Sequence, residues 1–346
     1  MNTSTKQAGN SRSEPYFWGL VLIGVIGIMA LQPFPVAAGL LGFAMAARSA
    51  IGNDSMQTLG TFIASNRKVP WWVLGAFISV VLITVHLVGW FSEGREIHFG
   101  RLDKIALPET ITHLQLLAPL VLLILTRYGV PVSTTFLLIS VFSEKSMMGM
   151  LVQSIFGYIL ALAVAFGCWY LLHRYKLPLV QDKHYNRARW RAVQWLSTTF
   201  LWATWLMHDT ANIAVFLPRQ LSASYLITAL VIMTSVVFMV MRSRGGEVQV
   251  IIEEKSDTDD IRAATLVDVV YAVVLLYFKE HTKLPMSTTW VFLGLLAGRQ
   301  FAIRLAAQPT QGSLCQDLRL ARKDLIKATI GILVSVALVL IGNALH

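Results

Sequence analysis

Seven apolar runs, each near the length that crosses a bilayer core, divide this chain of 346 residues. They are Tyr16–Leu31, Pro35–Ala50, Trp71–Phe91, Met147–Leu172, Val193–Leu217, Leu221–Met241 and Leu325–Leu345. A run of this kind crosses hydrocarbon as a helix, because each backbone N–H and C=O must find its partner inside the segment. Composition agrees: 55% of the residues are hydrophobic and only 14% charged, whereas a soluble domain carries about a quarter charged residues. The chain reads as an all-α polytopic membrane protein.

The net charge of +10 invites a nucleic-acid reading, but the basic residues lie in loops between the runs, as membrane topology requires. No basic helix is interleaved with aromatics, so nucleic acid is not an expected partner. Cys168 and Cys315 are far apart and suggest no disulfide framework, zinc site or haem attachment. The first run lacks a small-x-small cleavage site and reads as a retained helix.

Two polar motifs occur twice, in the same order. Asn53-Asp54-Ser55-Met56-Gln57 precedes Pro131-Val132-Ser133-Thr134-Thr135, and His208-Asp209-Thr210-Ala211-Asn212 precedes Pro285-Met286-Ser287-Thr288-Thr289. Asp54 and Ser133 are 79 residues apart, Asp209 and Ser287 78. Matched spacing indicates an internal repeat of about half the chain. Paired interruptions at corresponding positions point to a transporter's binding site.

The segment before each Ser-Thr-Thr reads as too short and broken for an ordinary span. Proline ends one helix and favours the start of another, so each copy is read as a re-entrant helical hairpin. The expected organisation is an extra N-terminal helix (1–34) and repeat one (35–172, hairpin around 110–143). A basic cytoplasmic linker (173–192) and repeat two (193–346, hairpin around 263–298) follow. Three crossings per repeat would invert the second copy. With the N-terminus cytoplasmic, the inner stretches hold nineteen Lys and Arg and the outer stretches five, as the positive-inside rule demands. The basic stretch 173–191 would face an anionic inner leaflet, and 242–262 reads as a solvated linker.

Ser133, Thr134, Thr135, Ser287, Thr288 and Thr289 would offer hydroxyls and unpaired N–H groups at helix N-termini, an arrangement that binds anions. The bland alternative is a Ser/Thr N-cap; duplication at matched spacing favours the anion. Asp54 and Asp209 are acids inside apolar runs, functional by default, and their motifs read as helix breaks suited to a hard cation. The alternative for Asp54 is a pair with Arg48. Carboxylates beside an anion lean towards phosphate, whose protonated forms carry O–H donors. Arg127 and Lys283, near the hairpin tips, could steer an anion or merely neutralise a helix C-terminus. His86 and His113 read more simply as satisfied polar residues.

The two motif pairs resemble those of the inorganic phosphate transporter family, whose halves carry Gly-Ala-Asn-Asp-Val-Ala-Asn and Pro-Val-Ser-Thr-Thr-His signatures. The resemblance spans residues 39–297 and implies an inverted-repeat secondary transporter, not an enzyme, moving phosphate with a coupling cation. By that resemblance Ser133, Thr134, Thr135, Ser287, Thr288 and Thr289, with Asp54 and Asp209, would contact substrate. Asn53, Asp54, Gln57, His208, Asp209 and Asn212 would form the coupling-ion shell. The chain departs from the signatures at Gln57, His208, Phe136 and Trp290. An imidazole suits Na⁺ less well than an amide oxygen, so the coupling ion is read as Na⁺ or H⁺, with His208 the proton-carrying candidate. No other cofactor is expected.

A sulfate or other tetrahedral oxyanion permease is the runner-up, followed by an anion channel. An intramembrane hydrolase lacks the needed nucleophile–base–orienter set. The expected setting is a bacterial inner (plasma) membrane, with the lipid bilayer as partner and a homodimer left open.

Overall fold

The computed structural model describes residues 4–128, 132–175, 185–243, 261–282, 285–306, 329–338 and 340–341, and every regular element among them is a helix. The first half of the chain forms α1 (Ser4–Leu31), α2 (Pro35–Ser65), α3 (Trp71–Ser92), α4 (His113–Arg127), α5 (Thr134–Ile139) and α6 (Glu144–Arg174). The second half forms α7 (Arg187–Ala214), α8 (Ala223–Arg242), α9 (Ile261–His281) and α10 (Thr288–Ala306), then α11 (Thr329–Leu338). Gly129 to Pro131, Lys283, Cys315 and most of the two polar linkers lie outside the described residues.

Local chemistry sets the boundaries. Pro35 opens α2 from its first turn, where a missing N–H costs nothing. Thr112 and Gln115 close a reciprocal capping box on α4, each side chain accepting from the other's backbone N–H. Asn186 accepts from Ala188 and Arg189 N–H to start α7, and Ser222 accepts from Tyr225 N–H to start α8.

Five of the described helices are long and apolar enough to span: the first two-thirds of α2, and α3, α6, α8 and α9. Val80, Val88, Phe156, Ile159, Ile227, Val231 and Val273 point outwards from them, a surface that only lipid accommodates. The protein is an all-helical, multi-pass membrane protein.

Three expectations change. The acidic motifs are breaks in hydrophobicity but not in helix: α2 runs unbroken through residues 53–57 and α7 through 208–212. Asn and Asp cost a helix interior only about 0.5 kcal/mol more than good formers, and here their side chains bond sideways to neighbouring helices. Second, short arms flank only the first Ser-Thr-Thr. α4 and α5 have 15 and 6 residues, but α9 and α10 have 21 and 19. Helix α10 extends past Ala297 because it lies tightly along α6: a Cβ on Gly294 or Gly298 would sit 2.2 Å from the carbonyl oxygens of Tyr158 and Leu162. Such small-residue contact lets helix backbones approach in a membrane. Third, the first helix begins at Ser4, well ahead of the apolar run that starts at Tyr16.

Helix α5 touches both α2 and α7, and so does α10. The hydroxyl segments of both halves therefore meet the acidic motifs of both halves at one place. Above the C-terminal end of α7, residues 93–112 fold over the bundle. Arg219 donates through Nε and Nη2 to Ile105 O at 3.0 and 2.9 Å, Trp90 Nε1 donates to Leu221 O at 2.9 Å, and Leu221 N–H bonds Arg95 O at 2.9 Å. Arg95 and Phe99 hold positive φ angles of 70° and 52°, a conformation that costs a non-glycine residue about 1 kcal/mol or more. Phe99 is held there by a notch: its ring lies where a side chain on Gly89 would be.

Candidate substrate and ion site

The site grows from Asp54 on α2, which is fully buried. Asn53 Nδ2 donates to its Oδ1 at 2.7 Å and Thr134 Oγ1 donates to its Oδ2 at 2.9 Å. Gln57 Nε2 approaches Oδ1 at 3.4 Å and also donates to Thr289 Oγ1 at 3.1 Å. The extra methylene at Gln57 thus carries an amide from the first half's acidic motif to the second half's hydroxyl segment.

Asp209 on α7 mirrors this arrangement. Asn212 Nδ2 donates to Asp209 Oδ1 at 2.6 Å and to Thr134 Oγ1 at 3.0 Å. One hydroxyl, Thr134, therefore bridges the two acidic motifs: it gives its proton to Asp54 and accepts from Asn212. The helical register explains the pairing, because positions three apart, such as Asp209 and Asn212, share a face.

The other hydroxyls have mixed duties. Ser133 Oγ accepts from Phe136 N–H and Ser287 Oγ from Trp290 N–H, so both serines cap their segments. Thr135 Oγ1 donates to Met286 O at 2.9 Å, joining one hydroxyl segment to the other. Tyr271 OH donates to Thr288 O and Ser287 N–H to Ser154 Oγ, which fix the second segment. Ser133, Thr134, Thr135, Ser287, Thr288 and Thr289 are all buried, as are Asn53, Asp54, His208, Asp209 and Asn212.

Two buried amide oxygens in this cluster have no hydrogen-bond partner, Gln57 Oε1 and Asn212 Oδ1, while the Thr288 hydroxyl and the Asp209 carboxylate interact only loosely with each other. Both amide oxygens can only accept. A buried acceptor without a donor costs several kcal/mol, and a hard cation or an O–H donor relieves that cost. The donor set thus fits Na⁺, which takes oxygen ligands, and equally fits a protonated oxyanion.

His208 sits at the edge of this group. Its Nε2 lies 2.7 Å from Leu275 O; a carbonyl only accepts, so Nε2 carries the proton. His86 is a satisfied core residue that links helices, with Nδ1 at 2.8 Å from Leu82 O and Nε2 at 3.0 Å from Thr210 Oγ1. Arg127 lies over the Phe17 ring, 5.2 Å from its centroid, at the end of α4.

Three residues escaped the sequence reading. Thr126 Oγ1 donates to Asn53 Oδ1 at 3.2 Å, orienting that amide. Asp268 on α9 is buried and accepts from Thr61 at 3.0 Å and Thr198 at 2.8 Å; the rule applied to Asp54, an acid inside an apolar run, would have found it. Arg101 has no such signal. It lies in a polar stretch counted only for its charge, yet it is 3% exposed, and its Nη2 is 3.3 Å from His208 Nε2.

No protein-family model matches the chain, and no curated protein matches its sequence. Among solved structures, one described as "The sodium-dependent phosphate transporter" superposes with a TM-score of 0.61 at 16% identity, covering 88% of this chain and 96% of that one. The chain has the fold of a sodium-dependent phosphate transporter.

Proposed function

We propose that this protein is a secondary active transporter moving inorganic phosphate together with a cation by alternating access. The observation that carries this reading is the Thr134 hydroxyl, shared between Asp54 of one half and Asn212 of the other. A site built from both halves at their contact is what a rocking mechanism requires, since relative motion of the halves then opens it to one side or the other. In this reading α4–α5 is a re-entrant hairpin, α9 and α10 carry the matching segment of the second half, and loop charge supports a cytoplasmic N-terminus.

The hydroxyls of Thr134, Thr288 and Thr289 and the N-terminus of α10 contact the anion. Carboxylate oxygens of Asp54 and Asp209 accept its O–H protons, which sulfate lacks at neutral pH. Gln57, Asp209 and Asn212 supply the oxygens for a coupling cation, with Asn53 orienting Asp54. A bound Na⁺ would neutralise carboxylate charge and so let an anion approach. His208, its Nε2–H given to Leu275, serves the bundle as a neutral hydrogen-bonded ring, which favours Na⁺ over H⁺ as the coupling ion.

Radiolabelled phosphate uptake by the purified protein in proteoliposomes tests this, with sodium and proton gradients imposed separately. Saturable uptake driven by sodium and competed by arsenate is expected. Competition by sulfate would make it a general oxyanion permease, and current without stoichiometric coupling would make it a channel. Normal transport by both T134V and T288V would remove the hydroxyl segments from the site.

A further inference from the structure

We propose that one face of α7, carrying Trp205, Trp202 and Gln194, is a second oxyanion-binding stretch that leads from the Asp54–Asp209 site towards the basic end of that helix. The inference rests on the transporter reading above and adds to it a path that the duplicated motifs do not contain.

Spacing puts these side chains in line. Residues 194, 198, 202, 205, 209 and 212 succeed one another at intervals of three or four in a single unbroken helix, so they share a face. At a rise of about 1.5 Å per residue, Trp205 lies about 6 Å, Trp202 about 10 Å and Gln194 about 22 Å along the axis from Asp209. Beyond Gln194 the helix reaches the exposed side chains of Arg191, Arg189 and Arg187. Three guanidinium groups there join the positive end of the helix dipole, so this end attracts anions.

The chemistry along the face is that of donors. Trp205, Trp202 and Gln194 are completely buried, yet Trp205 Nε1, Trp202 Nε1 and Gln194 Nε2 have no hydrogen-bond partner among the described residues. An indole N–H can only donate. The Gln194 amide is turned the same way, because its oxygen accepts from Ser65 Oγ at 2.9 Å and Asn66 Nδ2 at 3.4 Å. Buried donors left unmade are costly, and three on one face are stabilised by a solute that accepts. The indoles stack with centroids 4.7 Å apart and planes 9° from parallel. Each ring covers the other's face, where a cation would bind, and the positive edge that bears the N–H suits an anion.

Thr198, on the same face, gives its hydroxyl to Asp268 Oδ2 at 2.8 Å, and Asp268 also accepts from Thr61 at 3.0 Å. A carboxylate beside the stretch favours the protonated forms of phosphate, whose O–H can donate to it, as at Asp54 and Asp209. These contacts also tie α7 to α2 and α9, so passage along the face requires those helices to part, which alternating access provides.

The test follows the indole N–H signals by ¹⁵N-edited NMR while inorganic phosphate is titrated, and compares uptake by wild type, W202F, W205F and Q194L. Wild-type uptake establishes the transporter reading independently; without it that reading fails, and this one with it. Given uptake, the Trp202 and Trp205 signals, assigned by their loss in W202F and W205F, should move downfield with phosphate and not with chloride. Each variant should lower kcat about ten- to hundredfold, the effect of one hydrogen bond to a charged group. Thermal protection by phosphate, which reads the Asp54–Asp209 site, should persist. Where a phenylalanine variant does not fold, benzothienylalanine at the same position keeps the ring shape and replaces only the N–H by sulfur, and should lower kcat equally. Indole signals that phosphate leaves unmoved while uptake is normal would overturn the proposal. So would a wild-type kcat in the variants, or normal transport with benzothienylalanine where phenylalanine fails, which would make the pair a packing element.

Discussion

Replacing Thr134 with valine isolates the contact between the halves. Valine keeps the branched shape but loses the hydroxyl that donates to Asp54 Oδ2 at 2.9 Å and accepts from Asn212 Nδ2 at 3.0 Å. A hydrogen bond to a carboxylate contributes about 1.5–3 kcal/mol, and an orphaned buried N–H costs about 1–3 kcal/mol. Asn212 keeps its second N–H on Asp209, so the combined loss is about 3–5 kcal/mol where water does not enter. T134S preserves both bonds and is the control. Thermal unfolding in detergent should show T134V melting roughly 5–10 °C below T134S. Its phosphate kcat/KM should fall at least tenfold, since about 1.4 kcal/mol corresponds to a factor of ten. In a D54N background the valine should cost less by about 1.5–3 kcal/mol, a coupling that only a direct contact produces. T134V matching T134S in melting and in uptake would refute the bridging role.

Further outcomes follow from other contacts. Q57N shortens the side chain by about 1.5 Å and withdraws the amide from Thr289 Oγ1, so uptake should drop about two- to tenfold; unchanged kinetics would show that this reach is incidental. G298V places a side chain where a Cβ already lies 2.2 Å from Leu162 O, and should lower the thermal midpoint and broaden the size-exclusion peak. G167A, where nothing lies within 4 Å, should do neither. Burial, then Arg219, pushes the His98 imidazole down from 6.5 to about 4. Its folded value lies below the unfolded one, so its contribution is complete above pH 6.5 and is lost as pH falls towards 4. Proteolysis of the 93–112 segment should accelerate over that window and H98N should flatten the response; equal acid sensitivity in both proteins would exclude His98 as the cause.

Much of this architecture was legible because a bilayer enforces simple rules. Apolar runs must be helices, and the runs at 71–91 and 221–241 match α3 and α8 within two residues. Duplicated Ser-Thr-Thr motifs mark the starts of α5 and α10 because hydroxyl side chains cap helices locally. The misreadings have a common cause. Polar residues at 53–57 and 208–212 suggested broken helices, but hydropathy reports the surroundings of a side chain, not the path of its backbone. Long-range partners such as Thr134 and Thr289 satisfy these groups while the helix continues. The length of α10 likewise depends on Gly294 and Gly298 meeting the α6 backbone, a contact between segments over a hundred residues apart.

By itself the sequence determined what is local or periodic: a helical membrane protein, two motif pairs that recur in the same order, and the chemical types at the motifs. Tertiary structure alone decided which of those groups meet. Thr134 joins Asp54 to Asn212 across 80 and 78 residues of chain, and Arg101 reaches His208 across 107. Hydrogen bonding and charge act over a few ångströms of space whatever the distance along the chain. A buried arginine in a polar loop is therefore silent in the sequence and becomes visible only when the loop is folded over the site.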